Sequence, residues 1–302
     1  MPRILSLFYG YEWSRTSRYL GIILTVLILL TIFFVRLPNV ARTAAYNVFR
    51  EGLKQKALWT TRHMETLQGQ HFIVRYTGNN RSDAELVLAT AERFYAPVAS
   101  KYGYSGKGKI PVIVYPSRSE LNRNFGWPAD ESAMGVYWAG VIRVLSPDIW
   151  VGESNSALYK EAFETDGPMA HEFTHLVVDY ITGGNYTRWL TEGLAQYEEY
   201  QLTGFEFDET GALLGQTLYP LSEMDLNFDR LPNQALAYRQ SYLAVRYIAE
   251  VYGEESLRSL LQLLAEGKKT DKAIPSLLGM DMPTFEAAYQ KWAMEKESLN
   301  QL

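Results

Sequence analysis

Two short stretches constrain this chain most: His171-Glu172-Phe173-Thr174-His175 and, one loop later, Trp189-Leu190-Thr191-Glu192-Gly193-Leu194-Ala195. The apolar spacing from Met169 to Tyr180 predicts a helix, and in that helix positions 171 and 175 lie one turn apart on one face. Two imidazoles then converge on one point, an arrangement that suits a zinc ion. A catalytic zinc site takes three protein ligands and keeps one position open, so a ligand is missing. The chain has 4 histidines, His63, His71, His171 and His175, and none follows the pair. A carboxylate must complete the set, and Glu192 is the best candidate. Gly183-Gly184-Asn185 reads as a turn, and Thr191 through Tyr200 as a second helix folding back beside the first. Gly193 and Ala195 supply the small side chains that let helices approach closely.

The pairing of HEFTH with WLTEGLAQY resembles the gluzincin zinc metallopeptidases, the thermolysin-like clan, and especially their small membrane-anchored bacterial branch, the peptidase MA-like proteins. The resemblance runs from about His71 to about Trp292, with its specificity in the two motifs. It implies that His171, His175 and Glu192 bind Zn2+, that Glu172 is the general base, and that the substrate is a peptide or protein. The residue types agree. Zinc acidifies a water and polarises a carbonyl, while a carboxylate next to a ligand accepts the water proton and passes it to the leaving amine. Glu172 points about 100° around the helix from His171 and so reaches the open position without binding the metal. An oxyanion also needs a donor. The tyrosines of the segment 237–247 are the candidates, Tyr242 first and Tyr238 second.

The imidazoles need acceptors for their other ring hydrogens. In the related peptidases an aspartate one turn after the ligating glutamate often serves; here that place is Gln196, with Asp179 and Glu199 as alternatives. Two other functions stay open at this stage. One is zinc-dependent hydrolysis of a non-peptide amide or ester. The other is a zinc-stabilised binding or scaffold module in which Glu172 is incidental.

A length of 302 residues and 47% hydrophobic content allow one sizeable catalytic unit with a real core. The net charge of -5 without long charged runs gives no case for a nucleic-acid partner. With no cysteine, disulfides are excluded. The uncharged run Tyr19 to Val35, between Arg18 and Arg36, just spans a bilayer core at about 1.5 Å per residue if the arginines snorkel. It predicts a single transmembrane anchor in preference to a cleaved signal peptide. Basic residues flank it on both sides, so charge does not choose an orientation. The long following domain and the resemblance together predict a single-pass membrane protein with its catalytic domain outside the cytoplasm.

The expected fold class is α+β: a transmembrane helix, a small mixed β-sheet lobe with the zincin active-site helices, and a C-terminal helical lobe. Residues 1–37 would be a cytoplasmic segment and anchor, 38–70 a juxtamembrane stalk, and 71–300 the peptidase domain. Within that domain, 71–200 hold the sheet lobe and zinc helices, and 201–300 a cleft loop and helical lobe. Strands are expected over 71–77 and 110–115, with a hairpin of 135–138 and 141–145 turning at Ala139-Gly140. Helices are expected over 82–102, 119–125, 239–251, 256–264, 271–278 and 282–296. By the resemblance, Met134 to Trp138 is the candidate ledge for extended substrate.

Overall fold

The computed structural model describes residues 15–36, 38–78, 80–128, 133–152, 155–206 and 215–299. Two compact units divide the chain, Met1–Ala45 and Tyr46–Leu302. The first contains helix α1 (Arg15–Arg36). Its threonines do not interrupt it, because the Thr25 and Thr31 hydroxyls donate back to the carbonyls of Gly21 and Leu27, both at 2.8 Å. Yet among the described residues no helix is long and apolar enough to cross a membrane. The transmembrane anchor expected over Tyr19–Val35 is therefore overturned. With it go the transmembrane part of the fold class, the membrane contact through that helix, and the single-pass localisation.

Helix α2 (Pro38–Thr60) leads into the second unit, so the stretch expected as a stalk is largely one helix. A mixed five-stranded sheet follows, built from β1 (Glu65–Gln68), β2 (Phe72–Tyr76), β3 (Ile110–Tyr115), β4 (Gly135–Trp138) and β5 (Val141–Leu145). Its order is β1-β2-β3-β5-β4. The pairs β2/β3 and β3/β5 are parallel, while β1/β2 and β4/β5 are antiparallel. The central β3 and β5 are buried throughout, as strands covered on both faces must be. Helix α3 (Arg81–Tyr102) makes the crossover between β2 and β3. It turns Ala84, Val87, Ala91, Phe94 and Val98 inward at alternating spacings of three and four. The expected hairpin turns at Ala139-Gly140, with φ of 49° and 81°. That leaves β4 as an edge strand.

The rest is helical: α4 (Arg118–Arg123), α5 (Ser156–Asp166), α6 (Met169–Thr182), α7 (Arg188–Thr203), α8 (Leu221–Asn227), α9 (Gln234–Tyr252), α10 (Glu255–Ala265), α11 (Thr270–Leu278) and α12 (Met282–Leu299). The motif helix α6 lies at the centre. Met169, Phe173, Leu176, Val177 and Val178 are essentially inaccessible to solvent, and burial of each contributes about 1.5–3 kcal/mol. Phe173 meets Phe72 of β2 edge to face at 5.4 Å, which fixes α6 against the sheet. Part of the stretch expected to hold the cleft loop is α8, and residues 207–214 of that stretch lie outside the described part.

Two glycines set how closely the elements around the motif pack. A Cβ on Gly135 would fall 2.6 Å from Pro168 Cβ and 2.9 Å from Glu172 Cγ, so glycine alone lets β4 sit down on the start of α6. A Cβ on Gly193 would fall 2.2 Å from the Ser241 carbonyl oxygen and 2.6 Å from Val245 Cγ2. The small residue expected to serve the contact with the other zinc helix therefore serves α9 instead. Gly193→Ala is expected to cost about 1–3 kcal/mol through overpacking against backbone. Thermal unfolding should show Tm lowered by about 3–10 °C, and an unchanged Tm would contradict so tight a contact.

Candidate metal centre and cleft

His171 and His175 project from one face of α6, and Glu192 from the first turn of α7, which folds back beside it. One ligand atom from each of the three lies within 4.8 Å of the others. The Nε2 atoms of His171 and His175 stand 3.3 Å and 3.5 Å from the same Glu192 oxygen, Oε2. The opposite ring nitrogens are held too. His171 Nδ1 is 3.2 Å from Glu199 Oε2, and His175 Nδ1 is 2.7 Å from Thr191 Oγ1. These contacts orient both rings with Nε2 toward the shared point.

The charge states within the cluster depend on one another. Burial alone would push the Glu192 carboxyl up, but Arg188, His175 and the bonds from both imidazoles outweigh it and hold it well below the usual range. Burial likewise would push His171 down, yet the carboxylates of Glu199 and Glu192 hold it well above the ordinary imidazole value. Two nitrogens and one oxygen that converge on one point are a donor set that suits a divalent metal. Arg188 Nη1 lies 2.8 Å from Glu192 Oε1, which leaves Oε2 as the oxygen turned toward the histidines.

Glu172 is also buried, and burial raises its carboxyl above the ordinary value despite the nearby imidazoles. Its Oε2 accepts the main-chain N–H of Tyr137 in β4 at 2.5 Å. The groups line a cleft of about 800 Å³ whose walls include Tyr137, Trp138, His171, Glu172, His175, Arg188, Glu192 and Tyr238. A smaller cavity of about 190 Å³ adjoins it and shares Gly135, His171, Glu172 and Tyr238. The expected ledge, β4, thus borders both.

Other expected residues lie elsewhere. Tyr242 is buried, receives a hydrogen bond from Arg246 Nη1 at 3.2 Å and packs edge-on to Tyr200. It is not among the residues lining either cavity, whereas Tyr238, one turn earlier on α9, lines both. Among the described residues Gln196 holds no imidazole: its amide Nε2 donates to the carbonyls of Glu192 and Tyr238 at 3.2 and 3.0 Å, tying α7 to α9. Asp179 is bonded to Tyr46, Arg50 and Tyr137. Arg188 and Thr191 went unnoticed in the sequence. Arg188 did carry a signal, since it stands one helical turn before Glu192 with opposite charge.

Residues 149–295 match the family model of the Peptidase MA superfamily. That stretch contains both motifs and every helix from α6 to α11. The superfamily is one of peptidases, typically metal-dependent, and the His171, His175 and Glu192 cluster is the feature of this chain that accords with such a dependence. The match is at the level of the superfamily, and the sheet precedes it. No curated protein matches the chain.

Proposed function

We propose that the chain is a zinc-dependent metallopeptidase that hydrolyses peptide bonds, with His171, His175 and Glu192 as metal ligands and Glu172 as general base. The observation that carries this reading is the convergence of the three ligand atoms within 4.8 Å, inside a cleft that also holds a buried carboxylate. A bound divalent metal supplies Lewis acidity, polarising the scissile carbonyl and easing ionisation of water. Glu172 takes the proton of the attacking water, which its burial-raised carboxyl favours, and delivers it to the leaving nitrogen. The Tyr137 N–H keeps the carboxylate in place between the two transfers. Arg188 and Glu199 hold a ligand each in position.

The ledge reading is supported by the alternation of β4. Leu145 N–H donates to the Met134 carbonyl at 2.8 Å, so 134, 136 and 138 turn their main-chain groups toward β5. Gly135 and Tyr137 then turn their main-chain groups outward, the side on which the Tyr137 N–H meets Glu172 and an extended peptide would pair. The test is hydrolysis of a quenched-peptide library by the purified protein, abolished by a chelator and restored by stoichiometric zinc. Absence of chelator-sensitive cleavage across the library would overturn the reading.

Tyr238 is the donor for the developing oxyanion, replacing Tyr242 in that role because it lines both cavities. Tyr238→Phe is expected to lower kcat by about 10-fold to 10³-fold with little change in KM, since such a donor acts in the transition state. Tyr242→Phe serves as the comparison and should leave kinetics near normal. The opposite ranking would return the role to Tyr242.

A further inference from the structure

Tyr137 meets α6 at two separate points. Its main-chain N–H donates to Glu172 Oε2, and its hydroxyl donates to Asp179 Oδ2, each at 2.5 Å. The same hydroxyl accepts the Gly140 N–H at 3.0 Å, which ties the turn of the β4/β5 hairpin to the side chain. Glu172 and Asp179 are two helical turns apart, on one face of α6 and about 10 Å along its axis. One residue of the edge strand is thereby fixed across that span, with its backbone at the base and its side-chain tip at the far end. Asp179 is fully buried and is itself held from α2. The Tyr46 hydroxyl donates to Oδ1 at 2.5 Å, and Arg50 Nη1 donates to Oδ2 at 3.1 Å. Arg50 also lies 3.8 Å over the Tyr180 ring, so the countercharge has a fixed seat. A hydroxyl aimed at a carboxylate so anchored cannot shift without breaking several bonds at once.

We propose that Tyr137 is a positioning residue whose hydroxyl latch on Asp179 sets the height and register of β4 over Glu172, and so aligns extended peptide backbone with the base. Tyr46 and Arg50, which precede the stretch matched to the superfamily, keep the latch in place. The proposal rests on the peptidase reading for its consequence in catalysis, although the latch has a readout of its own.

Tyr137→Phe removes the hydroxyl and leaves the amide to Glu172. Hydrogen–deuterium exchange followed by mass spectrometry should show faster exchange across 133–141 in the variant, with 169–182 unchanged. This measurement needs no activity, so it decides the latch even if the protein cleaves nothing. Unchanged exchange across 133–141 would overturn the latch. Kinetics then separate alignment from general damage. On quenched decapeptides kcat/KM should fall about tenfold, mainly through KM, because a small displacement of the aligned backbone suffices for such a loss. On a capped dipeptide ester too short to lie along β4 the loss should be clearly smaller than on the decapeptides, with metal content unchanged. Tyr46→Phe should show the same pattern more weakly. Equal losses on both substrates, or none on either, would overturn the alignment role.

Discussion

Glu172→Gln is expected to lower turnover by about 10²-fold or more, with metal content, Tm and substrate affinity close to those of the parent protein. Glutamine has the same shape, and its carbonyl oxygen still accepts the Tyr137 N–H that now holds Oε2 at 2.5 Å. What it cannot do is take a proton from water and return it. The expected signature is thus a loss confined to kcat in a protein that binds metal normally by elemental analysis. Near-normal cleavage by the pure variant would remove Glu172 from the chemistry and favour a metal-stabilised scaffold.

Glu192→Ala should act at the earlier step. Its Oε2 stands 3.3 Å and 3.5 Å from the two imidazole Nε2 atoms, and the variant leaves two nitrogen ligands and a half-exposed Arg188 without its nearest carboxylate. Metal affinity should fall by more than the 10-fold to 100-fold typical of losing a mere supporting contact, with activity following it down. Elemental analysis after dialysis measures this directly. Full zinc occupancy in the variant would show that another group completes the site.

The candidate ligand cluster was legible because its information is local. Two histidines four apart share a helix face in any amphipathic helix, and the shortage of histidines narrows the third ligand to a carboxylate. The supports were only partly legible, because they depend on how helices cross: Glu199 stood among three candidates for holding an imidazole, and Thr191 was not among them. Glu199 reaches His171 and Thr191 reaches His175 only when α7 lies against α6 at one particular rotation. The two tyrosines make the same point. Tyr238 and Tyr242 are one turn apart on α9, and which of them meets the cleft depends on the close seating of that helix over Gly193. In the sheet, the hairpin announced itself through alternating residues and a glycine turn. The strand β1 did not, since Glu65–Gln68 is a polar, mostly exposed edge without alternation. Hydropathy along 19–35 was the least dependable guide, for it led to a spanning helix that the described residues do not support.

The packing of α6 against the sheet bears on how a working fragment would have to be cut. A chain begun at residue 149, where the superfamily match starts, would retain all three candidate ligands and both motifs. It would also strip β1 to β5 from the helix they cover, leaving Phe173 without Phe72 and Glu172 without the Tyr137 amide. Such a fragment would present a freshly bared apolar helix to solvent, a surface prone to self-association. The smallest expressible module therefore extends back to Tyr46, where the compact unit begins.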